Sequence, residues 1–300
     1  MRRPGAIPGS TVTVRIKEGS SVCQRPEDMH ISWLIYLIGM EEQKLIQKEL
    51  KKFSGWSIVV ALAAALVIWQ AAVLLFKLPA FILPPPRLVA ERLVTAVADG
   101  SLLRNLGATL MEVLLGLLSG TLLASLLGYL LARSRLLEKI LSPFLVASQA
   151  IPMVAIAPLL VIWFGPGLFS KVLICALIVF FPVLVNTLVG LRAVPENLHD
   201  LMRSLRATRS QTLRLLEIPA ALPVLLGGLR IGATLSVIGA VVGELVGADR
   251  GLGFLINVGR GQYDTALVFV AVFTLVGMAL VLYETVILLE RRLLKWQKEN

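Results

Sequence analysis

Six long apolar segments, separated by short polar stretches, constrain the fold of this chain more than any other feature. They are residues 56–76, 108–132, 141–164, 172–191, 223–246 and 266–289. A helix needs about 20 mostly apolar residues to cross a bilayer. Of the 300 residues, 57% are hydrophobic and 16% are charged, whereas about 25% of the residues in soluble domains are charged. The pattern predicts an all-α, polytopic membrane protein with about six transmembrane helices.

The basic residues indicate how these helices are oriented. The net charge of +10 suits either nucleic acid or anionic lipid as a partner. Because the basic residues lie between apolar segments and form no stripe with exposed aromatic residues, we favour lipid and expect no nucleic acid. In a six-helix topology, 21 Lys and Arg residues lie on the side of the two termini and 7 on the other side. Excess Lys and Arg marks the cytoplasmic side, so both termini are predicted to be cytoplasmic.

The first 52 residues differ from the rest and are predicted to form a cytoplasmic, partly disordered extension of a transmembrane domain at 53–300. Residues 31–38 are apolar but too few to span a membrane. The start of the chain also lacks the basic, apolar and small-residue order of a secretory signal. We expect either a disordered extension or a start codon assigned upstream of the true one, at Met29 or Met40.

Two patterns within the apolar segments concern packing. Pro143, Pro152 and Pro158 interrupt the third segment, which predicts kinked or unwound backbone that needs cover from protein. The glycines of the second segment stand at multiples of four residues, at Gly116, Gly120 and Gly128. Such spacing lets helices approach closely, although glycines that merely fill space in lipid would look the same.

The longest loop predicted on the cytoplasmic side, residues 192–218, has a helical pattern. Apolar residues recur at spacings of three and four residues, first at Leu198, Leu201, Met202 and Leu205 and again at Leu213, Leu215 and Leu216. The pattern predicts two short amphipathic helices with a break near residues 207–209. Such a loop is either a solvated basic connector or a contact for a partner protein.

This loop resembles the coupling segment of bacterial ABC importer permeases. The family pattern has an acidic residue, two small residues, a glycine four positions on, and an Ile/Leu-Pro pair. Asp200, Leu201, Met202 and Arg206 take the first four places, with Leu205 between them, and Ile218 and Pro219 take the last. Larger side chains thus replace the small residues, and an arginine replaces the glycine. We refer to residues 192–218 as the coupling loop.

The resemblance extends over residues 83–296, in the order found in the nitrate, sulfonate and taurine branch of these permeases. The supporting strings are LPPP at 83–86, IPMVAIAPLLVIWFG at 151–165, FPVLVNTLVGLR at 181–192, GELVGADRGLGFLI at 243–256 and LLERRLLKW at 288–296. The resemblance implies a type I importer permease fold in a bacterial inner membrane. It also implies three kinds of partner: two copies of an ATP-binding-cassette ATPase, a second permease copy, most simply in a homodimer, and an extracytoplasmic solute-binding protein.

The chain itself is predicted to be a transport subunit without a cofactor, not an enzyme. It lacks the phosphate-binding pattern G-x-x-x-x-G-K-[ST], so a partner must hydrolyse ATP. The implied substrates are nitrate, a sulfonate, taurine, or a small aromatic compound such as a pyrimidine or flavin precursor. The substrate is not readable from the chain, because selectivity is expected to reside in the binding protein.

Charged and polar residues within the apolar segments are the remaining site candidates. Glu112, Arg230, Glu244 and Glu284 are expected in the interior or at membrane boundaries, because a charge facing lipid is costly. Glu244 is interpreted either as a boundary anchor or as part of an outer gate where the binding protein docks. Gln149 and Asn186 are candidates for the translocation path, although polar side chains in membranes also bond to helix backbone.

Two other classes of protein compete with this interpretation. An ion-coupled secondary transporter or channel also has broken hydrophobic helices, but such transporters carry midplane carboxylates and repeated halves, and neither is visible here. An intramembrane enzyme needs a nucleophile with a base, or a metal motif. The two histidines, His30 and His199, lie outside the apolar segments and supply neither.

Overall fold

The computed structural model describes residues 55–295, and these residues form helices with no strand among them. The expectations for the N-terminal extension and its start codon fall outside the described residues. The helices are α1 Gly55–Leu75, α2 Pro86–Ala98, α3 Ser101–Arg133, α4 Arg135–Gln149, α5 Met153–Phe164, α6 Leu168–Arg192, α7 Glu196–Ser204, α8 Arg209–Gly247, α9 Leu252–Gly261 and α10 Thr265–Leu293.

All six predicted apolar segments are helical, which confirms the all-α membrane fold. By length and composition, α3, α6, α8 and α10 are each able to cross a membrane. The third segment is a pair of helices, α4 and α5, bent by 95° and able to count as a fifth span. The first segment forms α1, whose apolar part, Val59–Leu75, is shorter than the others.

The chain divides into two compact units between Ala65 and Leu66, and the second unit has two distinct ends. At the α9 end, Arg92 of α2 pairs with Asp264 at 2.7 Å, just before α10 begins. At the coupling-loop end, Arg230 of α8 pairs with Glu290 of α10. The consecutive long helices α3, α4–α5, α6, α8 and α10 run between these ends, so that the coupling loop and α9 lie at opposite ends of the bundle.

Helix α6 lies in the centre, packed against α3 on one side and α8 on the other. A Cβ atom added at Gly120 of α3 would lie 2.7 Å from the carbonyl oxygen of Ala176, and one at Gly239 of α8 would lie 2.9 Å from Cα of Cys175. Both glycines therefore allow backbones to approach closely. Gly116 and Gly128 likewise face α6. This confirms close helix approach, and the alternative that these glycines only fill space in lipid is wrong.

The proline-interrupted segment breaks between Gln149 and Met153, with Pro152 at the start of α5. Pro143 and Pro158 are accommodated inside helices. The expected protein cover is not supplied by residues 55–295, because residues 150–152 at the break are exposed. Their backbone instead makes tight local turns, in which the Ile151 N–H donates to the Ser148 carbonyl at 3.3 Å.

Candidate functional site

The coupling loop presents a short helix with an exposed apolar face. Helix α7 is the first of the two predicted amphipathic helices. Leu201 in this helix is 53% exposed, and Leu205, which directly follows it, is 68% exposed. Met202 is half-buried. Asp200 is also on the surface and pairs with Arg203 at 2.9 Å, one turn along the same helix. The predicted residues thus form one accessible surface rather than a pocket.

The break that follows α7 is built around Arg206. This residue has φ = 50°, in the left-handed region that glycine adopts far more readily than other residues. Arg206 occupies the position where the family pattern has glycine. The Ala207 N–H donates to the Met202 carbonyl at 3.0 Å, which closes the turn. Thr208 then caps the start of α8 through a reciprocal pair of hydrogen bonds with Gln211.

A buried carboxylate that the sequence analysis missed lies at the start of α8. Glu217 is 5% exposed, in a π-helical turn at Leu213–Glu217. Its carboxylate accepts a hydrogen bond from Arg133 Nη2 at 3.0 Å. The next residue, Ile218, is 48% exposed, and Pro219 is half-buried. The sequence did contain a signal for this buried carboxylate, because Glu217 is an acidic residue in an otherwise largely apolar string directly before Ile218 and Pro219.

The α9 end contains a second buried site, around Glu244. This side chain is fully buried, and its carboxylate accepts hydrogen bonds from Thr109 Oγ1 at 2.6 Å and from the Gly253 N–H at 2.5 Å. Thr109 Oγ1 also accepts from the Leu252 N–H at 2.8 Å. Asn105 Oδ1 accepts from the Gly251 N–H at 2.7 Å. We refer to Asn105, Thr109, Glu244 and the backbone of residues 251–253 as the Glu244 network.

Glycines at 251 and 253 make room for this carboxylate. Gly251 has φ = 117°, and a Cβ atom there would collide with the Glu244 carboxylate. A Cβ atom at Gly253 would lie 2.8 Å from Cβ of Glu244. The string GELVGADRGLG therefore folds back on itself, and the network fastens the α8–α9 connection to α3.

An almost fully buried ion pair lies beside this network. Lys171 Nζ of α6 is 3.0 Å from Glu112 Oε1 of α3, and both side chains are 2% exposed. The charge count placed Lys171 in an external loop, but the structure buries it against α3. Glu112 lies one helical turn from Thr109, so the ion pair and the Glu244 network are neighbours on α3.

Two open cavities adjoin these residues. One of about 470 Å³ has Glu112, Lys171, Asp249 and Arg250 in its wall. The other, of about 800 Å³, has Arg104, Asn105, Glu112 and Arg250 in its wall. Both cavities therefore bring charged side chains of either sign to the α9 end.

The predicted path residues Gln149 and Asn186 are not brought together with Glu244. Gln149 is exposed at the end of α4. Asn186 is half-buried where α6 meets α8, and its Nδ2 donates to the Pro182 carbonyl at 2.7 Å. It lies fifteen residues beyond Lys171 on α6, about 22 Å along a helix that rises 1.5 Å per residue, and hence far from the Glu244 network.

The other charges within apolar segments have separate environments. Arg230 bonds to Glu290 and lies over the ring of Tyr283, with 5.6 Å from Cζ to the centroid. Glu284 is exposed on α10. Polar side chains within the spans do bond to helix backbone, since the hydroxyls of Thr187 and Ser236 donate to carbonyls of their own helices.

A helical bundle with buried charges at one end and an exposed amphipathic helix between spans at the other has the architecture of a membrane-embedded transport permease. The chain belongs to the family of binding-protein-dependent transport system inner membrane components, which matches residues 94–295. It is the permease subunit of an ABC importer, as the sequence resemblance predicted.

The chain is similar to three relatives and to one solved structure. The riboflavin transport system permease protein RibX of Chloroflexus aurantiacus is 51% identical, over 79% of this chain and 89% of the relative. The formylaminopyrimidine transport permease protein ThiX of Halalkalibacterium halodurans is 36% identical, over 78% and 93%. The taurine transport system permease protein TauC of Escherichia coli is 34% identical, over 79% and 88%. A structure of the MetNI methionine ABC transporter in inward-facing conformations shares the fold, with a TM-score of 0.53, 20% identity, and coverage of 64% of this chain and 94% of that one.

Proposed function

We propose that this permease moves a nitrogen-containing heteroaromatic solute of the riboflavin kind into the cell. The observation that carries the proposal is the 51% identity to the riboflavin permease, against 34% to the taurine permease, over the same share of this chain. The relative named for a formylaminopyrimidine, also a nitrogen heterocycle, is 36% identical. A sulfonate or taurine is the second candidate.

The ATPase is proposed to bind the exposed apolar surface formed by Leu201 and Met202 of α7 and by Leu205 just after it, with Asp200 and Arg206 at its edges. A short amphipathic helix suits a hydrophobic groove on a partner. Leucine side chains as exposed as these are costly to leave in water, because burial of one is worth about 1.5–3 kcal/mol. Ile218 and Pro219 mark where the loop returns to the bundle.

A second permease copy is proposed to cover the broken segment. Residues 150–152 are exposed between α4 and α5, and irregular backbone at membrane depth is tolerated only against protein or a water-filled cavity. A homodimer with two ATPase copies would supply the covering protein and a water-filled path beside the break. In that arrangement Gln149 and Asn186 are the polar residues proposed to line the path.

The coupling-loop end is proposed to face the cytoplasm and the α9 end the outside, where the binding protein docks. The excess of Lys and Arg at the coupling-loop end supports this orientation. Glu244 is proposed to act as an outer gate residue by holding the α8–α9 connection closed. A cysteine at position 208, in place of Thr208, should resist an impermeant thiol reagent in intact cells. Rapid labelling there would reverse the orientation.

Uptake into proteoliposomes tests which substrate the permease transports. The permease would be reconstituted with its ATPase and binding protein, and ATP-dependent uptake of riboflavin, a formylaminopyrimidine and taurine would be compared. We expect riboflavin to accumulate and taurine to remain outside. Uptake of taurine without riboflavin would favour the second candidate, and uptake that does not require ATP would contradict ATP-driven import altogether.

A further inference from the structure

Glu217 is a buried carboxylate in an otherwise accessible part of the coupling loop. It is 5% exposed, whereas Leu215 and Ile218 on either side of it are 71% and 48% exposed. It also lies in the π-helical turn within α8, and such turns occur frequently at functional sites. Neither the ATPase contact nor the Glu244 network makes use of this side chain.

The carboxylate is bonded to one element, α3, and lies close to another, α7, that is distant from it in the chain. One oxygen accepts from Arg133 Nη2 at 3.0 Å, at the last residue of α3. The other lies 3.9 Å from Nδ1 of His199 on α7. Arg133 is itself held in place, because its Nε donates to the hydroxyl of Tyr129 at 3.2 Å and its guanidinium lies over that ring. Glu217 therefore stands between the proposed ATPase-binding helix and the end of α3.

A buried ion pair is weak evidence for stability, because well-packed apolar replacements are often neutral or stabilising. The pair does provide a directional link that an apolar side chain would not. The covalent connections of α7 lead to α6 and α8, and Glu217 adds α3. Since α3 packs closely on α6 at Gly120, and densely packed interiors transmit strain, a displacement of this end of α3 would reach the centre of the bundle.

We propose that Glu217, held by Arg133, is a positioning residue that transmits movement of α7 to α3 and so couples ATP hydrolysis to transport. This proposal rests on the proposed function, since it takes α7 to be the ATPase contact. The movement itself is supplied by the ATPase, and the Arg133–Glu217 pair determines how much of it reaches the spanning helices.

Two variants and a matched control test the proposal. Glu217→Gln keeps the size of the side chain and removes its charge. Arg133→Gln removes the charge of the other member of the pair, which is the more exposed of the two. Glu290→Gln is the control, because it breaks the pair of Glu290 with Arg230 at the same end of the bundle, and both residues lie outside the coupling loop. Transport and ATP hydrolysis would be measured together in proteoliposomes that contain the complete complex.

We expect both test variants to assemble and hydrolyse ATP, with transport per ATP reduced at least about fivefold, the low end of typical coupling between sites. The control should keep the wild-type ratio, and the swap of Arg133→Glu with Glu217→Arg should regain part of the loss. Wild-type ratios in both test variants would overturn the proposal, and so would an equal loss in the control. Failure of both test variants to assemble would also overturn it, by making the pair a folding anchor. If wild-type permease retains no ATPase, the proposed function itself fails, and that is seen before any variant is made.

Discussion

Lys171 Nζ lies 3.0 Å from Glu112 Oε1, and this ion pair joins α6 to α3 with both side chains 2% exposed. Two charges removed from solvent to this extent are tolerated only as a pair. The pair fixes the register of the two helices at the α9 end, beside the Glu244 network. The ion pair contributes an electrostatic attraction between the two helices. The glycine contacts further along the same interface contribute close packing of the backbones.

Removal of one member of this pair is expected to destabilise the protein more than removal of both. Lys171→Met leaves the buried Glu112 carboxylate without its partner, at a cost of about 3–5 kcal/mol, whereas Lys171→Met with Glu112→Gln removes both charges of this pair, and Glu244 keeps its hydrogen bonds from Thr109 and Gly253. Thermal unfolding in detergent, followed by size-exclusion chromatography, would rank the two variants. A double variant no more stable than Lys171→Met would contradict a specific pairing.

The Glu244 network is expected to determine how firmly the α8–α9 connection is held. Glu244→Gln replaces one carboxylate oxygen with a donor, so that either Thr109 or the Gly253 N–H loses its acceptor, at a cost of about 1–3 kcal/mol. Hydrogen exchange of residues 248–256 should become about tenfold faster or more. Glu284→Gln, a matched change at an exposed carboxylate, should leave this exchange unchanged. Equal exchange rates in the two variants would contradict a role of the Glu244 network in a gate.

The contact of α3 with α6 is expected to be intolerant of even one added methyl group. Gly120→Ala would place a Cβ 2.7 Å from a backbone oxygen, and overpacking of this kind costs about 1–3 kcal/mol. At Gly107, on the same helix, the added Cβ meets no atom within 4 Å from other parts of residues 55–295, and Gly107→Ala should gain about 0.5–1 kcal/mol in helix propensity. Melting temperatures should therefore move in opposite directions, and a shared direction would contradict the packing argument.

The exposed face of α7 is expected to be required for ATPase binding but not for membrane insertion. Leu201→Asp with Met202→Asp would place unpaired charge in the proposed groove, which is strongly unfavourable. The ATPase should be lost from pull-downs of otherwise well-expressed permease, and transport should cease. Asn197→Asp, an added acid in the first turn of the same helix, is the control and should bind normally, since helix N-termini favour negative charge. Normal binding and transport by the double variant would exclude α7 as the contact.

The turn after α7 is expected to depend on backbone conformation more than on the charge of Arg206. Its φ of 50° costs a non-glycine residue about 1–2 kcal/mol. Arg206→Gly should therefore keep ATPase binding and transport, whereas Arg206→Val, with a branched Cβ, should lose both. Equal losses in the two variants would instead assign a contact to the arginine side chain. The same pull-down and uptake measurements distinguish these outcomes.

The sequence determined the long apolar helices, the proline interruption of the third segment and the amphipathic pattern of α7, because each of these follows from local composition and spacing. The tertiary structure decided that the break lies at Pro152 and that the glycines contact another helix. It also indicated the depth of the charges, with Glu112, Lys171 and Glu244 all near the ends of apolar segments on one side. Tertiary structure alone decided their partners. Lys171 was placed in an external loop by charge counting, and Glu217 was not singled out at all. Hydropathy specifies how deep a residue lies in a membrane. The partner of a buried charge depends instead on which helix faces meet, and those faces belong to segments about sixty to 135 residues apart in the chain.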